Sequence, residues 1–340
     1  MQHGGDLSKA IAAFGGTESD WMDLSTGINP VAYPAAEHIT ARGLTDLPGE
    51  RAENALIEAA RQAYNLSPNS AIAAAPGTQA IITALPYLLG ANCSISIIGP
   101  TYSSHEESWK GAGATVQCIS KEQAHEATTD HLLLVNPNNP DGHIFTREEL
   151  LKLAAIKQQN GGYLIVDEAF MDLYPQASII PQIKDLPILV LRSFGKFFGL
   201  AGLRLGFLVG PKEVTEKLQN QFGSWAVSGP ALDVGRAALA DLNWQTEMRS
   251  SLKSEMGLFS TLLKDQNISI VGQTDLYILI EHPLAHPLHN ALAKERIWTR
   301  VFDFSENWMR LGLPAADSDR QRFAKSFKDA LQTVEDHAAF

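Results

Sequence analysis

Five short apolar runs constrain this fold more than any other feature of the chain: residues 94–98, 131–135, 163–166, 188–191 and 205–209. Longer amphipathic stretches separate them, which is the pattern of strands joined by crossover helices into a mostly parallel sheet. Each run ends at a polar or glycine-bearing segment, and in open sheets of this kind ligands gather at the carboxyl ends of the strands. Asn139, Asp167 and Lys196 all fall there, so three separate strands aim chemistry at one rim. The expected class is α/β.

The last hundred residues read differently, with strands expected at 268–271 and 276–281 and a helix around 285–295. Phe323, Phe327, Leu331 and Val334 then recur at helical spacing, so one face of a final helix packs on this smaller lobe. The expected division is an N-terminal arm over 1–28, a large domain with a mostly parallel, helix-sandwiched sheet over 29–215, and a small C-terminal α+β domain over 216–340. A chain of 340 residues with 45% apolar and 19% charged residues buries a core of that size.

A net charge of -11 without a basic tract argues against a nucleic-acid partner. No apolar run approaches the roughly 20 residues of a membrane span. The start MQHGGDLSKA lacks the basic and apolar segments of a signal peptide, so a cytoplasmic protein with no membrane partner is expected. Cys93 and Cys118 have neither zinc-site nor redox spacing and read as reduced core thiols.

The run SFGKFFGLAGLRLGF, residues 193–207, carries the chemistry. It sets Lys196 in an apolar, glycine-rich stretch, where loss of the ammonium charge is favoured and the amine can react with a carbonyl. Ser193 and Arg204 flank it and suit a phosphate. Together these three residues point to pyridoxal phosphate held covalently on Lys196.

Other residues extend this reading. Gly77-Thr78-Gln79 opens a helical pattern of Ile81, Ile82, Leu85 and Leu88, and a glycine-opened helix N-terminus offers free N–H groups to a phosphate. Tyr102 follows the strand ending at Ile98, where its ring can lie on a planar cofactor. Asn139, in the turn NPNNPDG, can donate to the cofactor's phenolic oxygen, although Asn-Asn-Pro is also simply a good turn former. Asp167 forces a carboxylate to the edge of a buried sheet, where it can keep a pyridine nitrogen protonated; Glu168 beside it is expected in solvent.

No metal is expected. His282, His286 and His289 have helical spacing but are interrupted by Pro283 and Pro287, and Asp167, Glu168 and Asp172 have no histidine near them in sequence. Arg300 and Arg310 lie among apolar residues. An arginine so placed needs an anion, whether a protein carboxylate or a ligand's carboxylate or phosphate.

In order and spacing, Gly77-Thr78, Tyr102, Asn139, Asp167, Ser193, Lys196, Arg204 and Arg310 resemble the fold type I pyridoxal-phosphate enzymes over nearly the whole chain. NPNNP, DEAF and SFGKFFGLAGLRLG resemble most the branch holding histidinol-phosphate aminotransferase and the cobalamin-pathway threonine-phosphate decarboxylase. His3-Gly4-Gly5, the segment LSTGINP, Asp141 and the ending MRLGLP lean toward the decarboxylase.

The resemblance implies that His3, Gly4, Asn29 and Arg300 contact a small phosphorylated amino acid and its phosphate, with Asn139 also on the substrate and Arg310 on its α-carboxylate. It implies a homodimer and decarboxylation, with transamination of a phosphorylated substrate as the alternative. Two positions depart from the aminotransferase pattern: Phe170 stands where a tyrosine is common, and Leu47 where a partner-subunit tyrosine usually reaches the cofactor phosphate.

Overall fold

The computed structural model describes residues 4–90 and 92–338, so His3 lies outside the described residues. The chain divides into two compact units, Ala32–Trp244, and Met1–Val31 together with Gln245–Phe340.

The first unit is built on a seven-stranded sheet. Its strands are β1 Ala71–Ala75, β2 Ser94–Ile98, β3 Thr115–Ile119, β4 His131–Val135, β5 Leu164–Asp167, β6 Ile188–Ser193 and β7 Gly206–Gly210. Their order is β1-β7-β6-β5-β4-β2-β3. All neighbours run parallel except β7, which is antiparallel to both β1 and β6. Apolar residues run without alternation through β5 and most of β6 because helices cover both faces of such a sheet; Ile165, Val166, Leu189 and Val190 are fully buried.

Helix α1, Thr78–Leu89, turns Ile81, Ile82 and Leu85 into this core. Helix α2, Arg147–Gln159, starts at Thr146, whose hydroxyl accepts from the Glu149 N–H while the Glu149 carboxylate accepts from the Thr146 N–H. That reciprocal capping fixes where the crossover begins.

The boundary differs from the expected residue 215. Helices Lys212–Phe222 and Gly229–Ala240 pack on β1, on α1 and on the helix Glu50–Ala63, so residues 216–244 belong with the large sheet. The N-terminal segment likewise belongs with the smaller unit, where Met22–Asp23 pairs in parallel with Ile297–Trp298.

The smaller unit holds a four-stranded antiparallel sheet of β8 Ser269–Thr274, β9 Tyr277–Glu281, β10 Arg300–Phe302 and β11 Ser305–Gly312, in the order β10-β11-β9-β8. Helix α3, Ala285–Lys294, packs on β11 and on the last helix, α4, Asp317–Ala338. Phe323 and Phe327 of α4 are fully buried, as their spacing requires. Two thiols depart from expectation, Cys93 being half-buried and Cys118 exposed on the edge strand β3.

Candidate active site

The carboxyl rim of the large sheet gathers the chemistry. β5 ends at Asp167, which is 3% exposed; its Oδ2 lies 2.8 Å from His105 Nε2 and its Oδ1 accepts from the Ala169 N–H at 3.0 Å. β6 ends at Ser193, and the single helical turn Phe194–Phe197 that follows carries Lys196. The ammonium nitrogen of Lys196 lies 5.9 Å from the ring centre of Phe170. Tyr102 donates to Gln79 Oε1 at 3.1 Å.

Backbone geometry shapes the helix end. Gly77 has φ +89°, and a Cβ there would stand 2.4 Å from Arg204 Nη2, so only glycine lets that guanidinium reach the start of α1. Arg204 itself is left-handed at φ +55° and donates to the Ala201 carbonyl at 2.9 Å. Thr78 Oγ1 donates to the Arg192 carbonyl at 3.1 Å, tying the helix start to β6.

One cavity of about 160 Å³ is lined by Thr78, Gln79, Tyr102, Asn139 and Asp167. Ser193, Lys196 and Arg204 also line it, as does Phe170 in place of a hydroxyl-bearing ring. An amine, a buried carboxylate, an aromatic ring and a cation beside a helix N-terminus fit pyridoxal phosphate in chemistry: an anchor, a partner for the ring nitrogen, a stacking face and a phosphate cradle. Leu47 is 68% exposed and does not line this cavity.

Strand alternation sends the adjoining residues to the other side. Glu168, expected in solvent, is fully buried; its carboxylate accepts from Arg192 Nη1 at 3.0 Å, Ser178 Oγ at 2.6 Å and the Ile179 N–H at 2.8 Å. Arg192 also pairs with Asp172 and lies 4.3 Å over the Tyr64 ring. Burial raises the Glu168 carboxyl pKa against the pull of Arg192. Of the three carboxylates weighed above as metal ligands, Glu168 and Asp172 hold Arg192, while Asp167 meets His105.

In the smaller unit, Arg300 and Arg310 are direct cross-strand partners. Like charges set opposite each other are unfavourable unless an anion joins them. Arg310 Nη2 donates to the Ser25 carbonyl at 2.6 Å, and its guanidinium lies 5.2 Å from the Tyr277 ring centre. Burial pulls its pKa down to about 10, with Tyr277 opposing and Arg300 adding to the shift, so it stays charged at neutral pH.

Gly4, Ser25, His289 and Arg300 line a cavity of about 60 Å³. A Cβ on Gly4 would stand 2.5 Å from the Ser25 carbonyl oxygen, a close approach only glycine allows. Asn29 and Arg310 are not in that lining; Asn29 is buried and its Oδ1 accepts from the Val31 N–H at 2.9 Å.

The three histidines at helical spacing each meet a protein group. His289 is buried 2.7 Å from Thr299 Oγ1, and burial, aided by His286 and Arg300, drives its pKa down to about 4. His282 Nδ1 accepts from the Leu284 N–H, and His286 Nε2 meets the Ser305 carbonyl. His105, which sequence reasoning missed, sits three residues after Tyr102 at the start of the helix Ser104–Gly111, and its partner Asp167 lies 62 residues further on.

Comparison with known proteins agrees with this architecture. The family described as aminotransferase class I and II matches residues 19–325. A threonine-phosphate decarboxylase from Sinorhizobium sp. is 39% identical over 98% of both chains. One from Pseudomonas aeruginosa is 37% identical over 94% of both. Among solved structures, histidinol-phosphate aminotransferase from Sinorhizobium meliloti in complex with pyridoxal-5'-phosphate superimposes with a TM-score of 0.82, at 16% identity over 97% of this chain and 95% of that one.

Proposed function

This chain belongs to the class I and II aminotransferase family, and from that premise we propose that it is a pyridoxal-phosphate-dependent carbon–carbon lyase. It decarboxylates L-threonine O-3-phosphate to 1-aminopropan-2-ol O-phosphate, a step of cobalamin biosynthesis. The observation that carries this reading is the 39% identity, over 98% of both chains, to a protein named threonine-phosphate decarboxylase.

When bound, the cofactor's pyridine ring supplies a sink for the electron pair released at the substrate's α carbon. Asp167 would keep the ring nitrogen protonated, and His105 restrains that carboxylate. Asn139 would donate to the phenolic oxygen, Tyr102 would cover the ring, and Gly77, Thr78, Gln79, Ser193 and Arg204 would hold the phosphate. Lys196 would anchor the group and supply the proton that replaces the departed carboxylate.

Arg310 would hold the α-carboxylate, and the orientation it gives the substrate would favour loss of carbon dioxide over loss of the α proton. His3, Gly4, Asn29 and Arg300 would contact the substrate and its phosphate.

The wider assignments follow the same reading. Leu44, Leu47 and Trp225 of the large unit are exposed apolar side chains, which supports burial against a second copy in a homodimer. Two free cysteines suit a reducing cytoplasm.

Transamination of a phosphorylated substrate such as histidinol phosphate is the second reading, supported by 27% identity over 70% of this chain to a protein named histidinol-phosphate aminotransferase. Purified protein given phosphothreonine, then histidinol phosphate with 2-oxoglutarate, separates the two. Carbon dioxide from the first supports the lyase; glutamate without carbon dioxide rejects it.

A further inference from the structure

We infer that Asn138 is a positioning residue, clamping at one separation the two loops that present Tyr102 and Asn139 to the cofactor; this rests on the cofactor reading of the large-unit cavity. Tyr102 follows Thr101, and Asn139 follows Asn138; both line that cavity. Between the loops, Asn138 Nδ2 donates to the Pro100 carbonyl at 3.1 Å and to Asp141 Oδ1 at 2.8 Å, while its Oδ1 accepts from Thr101 Oγ1 at 2.7 Å.

The chemistry of these partners leaves one orientation. A proline carbonyl and a carboxylate only accept, so the amide nitrogen must face them, and the Thr101 hydroxyl is left to donate to the amide oxygen. The Asn138 loop is itself closed: the Asn138 N–H donates to the His143 carbonyl and the Gly142 N–H to the Asn138 carbonyl, both at 2.8 Å. Asp141 Oδ1 accepts from the His143 N–H at 3.0 Å. One side chain therefore joins a rigid turn to the neighbouring loop.

Packing alone does not set this separation. A second cavity of about 160 Å³ is lined by Pro100, Leu134, Asn138, Asp141 and His143, so the apolar fill between the loops is incomplete and the polar bonds hold the distance. Released, Tyr102 and Asn139 drift relative to each other, and displacements of about an ångström in a reacting assembly cost up to roughly a hundredfold in rate.

The test compares Asn138→Ala, Thr101→Val and their double variant. In the apoprotein, hydrogen exchange of peptides spanning 99–102 and 138–143 is expected to quicken in each single variant. In the holoprotein, the pH midpoint of the cofactor's visible absorbance is expected to rise, because a displaced Asn139 no longer stabilises the phenolate, and kcat/KM to fall about tenfold or more.

The double variant is expected to lose no more than Asn138→Ala, as for groups acting as one unit. Unchanged exchange and midpoint, or fully additive losses, would overturn the clamp. If Asn138→Ala fails to fold, Thr101→Val, which removes one hydroxyl, decides alone. A wild-type protein that takes up no pyridoxal phosphate rejects the cofactor reading instead, and the apoprotein exchange still decides the clamp.

Discussion

His105 and Asp167 share a buried hydrogen bond of 2.8 Å, which gives the rim carboxylate a fixed bearing before any ligand arrives. Leaving a buried charged acceptor short of one donor costs about 1–3 kcal/mol, which is roughly 5- to 150-fold in rate if felt in the transition state. His105→Leu should therefore lower kcat/KM within that range. Steady-state decarboxylation of phosphothreonine measures it, and unchanged turnover would separate His105 from the chemistry.

For Lys196→Ala, loss of the proton carrier should lower turnover by about 10²–10⁴-fold. Borohydride reduction of the wild-type holoprotein should fix the cofactor on the peptide containing residue 196. Mass mapping that finds the label elsewhere, or nowhere, removes the anchor.

Gly77→Ala places a methyl where Arg204 Nη2 stands, on backbone at φ +89°. The strain is on the order of 1 kcal/mol before the displaced guanidinium is counted, so pyridoxal phosphate should bind the apoprotein about tenfold more weakly or worse. Fluorescence titration of the apoprotein reads this directly; an unaltered Kd would take Gly77 out of the phosphate cradle.

Arg310→Ala removes a buried guanidinium bonded to the Ser25 carbonyl. Breaking a buried charge pair costs about 3–5 kcal/mol, so if the substrate carboxylate is its ionic partner, kcat/KM for phosphothreonine should fall at least a hundredfold. Normal kinetics in that variant would end its carboxylate role.

Stability should depend on acid through His289, whose pKa lies at about 4 in the folded chain against an ordinary 6.5. Between those values the unfolded chain binds the proton and the folded chain does not, so stability falls as pH drops through the window, by on the order of 3 kcal/mol at pH 4. His131 and His282, also lowered by burial, act with the same sign. Urea unfolding from pH 7 to 4 should show a shallower loss in His289→Asn than in the wild type; equal slopes would discard this source.

Much of the rim was legible because strand-end position and residue type coincide. Asp167 closes an apolar run, and Lys196 interrupts another. The partners behind them were not, since a contact across 62 residues, such as His105 with Asp167, leaves no periodic trace.

β1 was missed because four of its five residues are alanine, a weak strand former, and β3 because its exposed, alternating sequence reads as a surface segment. The boundary near residue 215 failed for a related reason. The faces of Lys212–Phe222 and Gly229–Ala240 show that they pack, but not on which sheet.

Asp167 and Glu168 are consecutive, as are Ser193 and Arg192, and in both pairs the pleat turns one member to the cavity and the other to the ion-paired trio behind it. The sheet thus acts as a partition between reactivity and durability. Substitutions behind it should surface as heat-sensitive protein with unaltered selectivity, and those in front as stable protein that turns over poorly, so two assays run side by side would sort this rim by face.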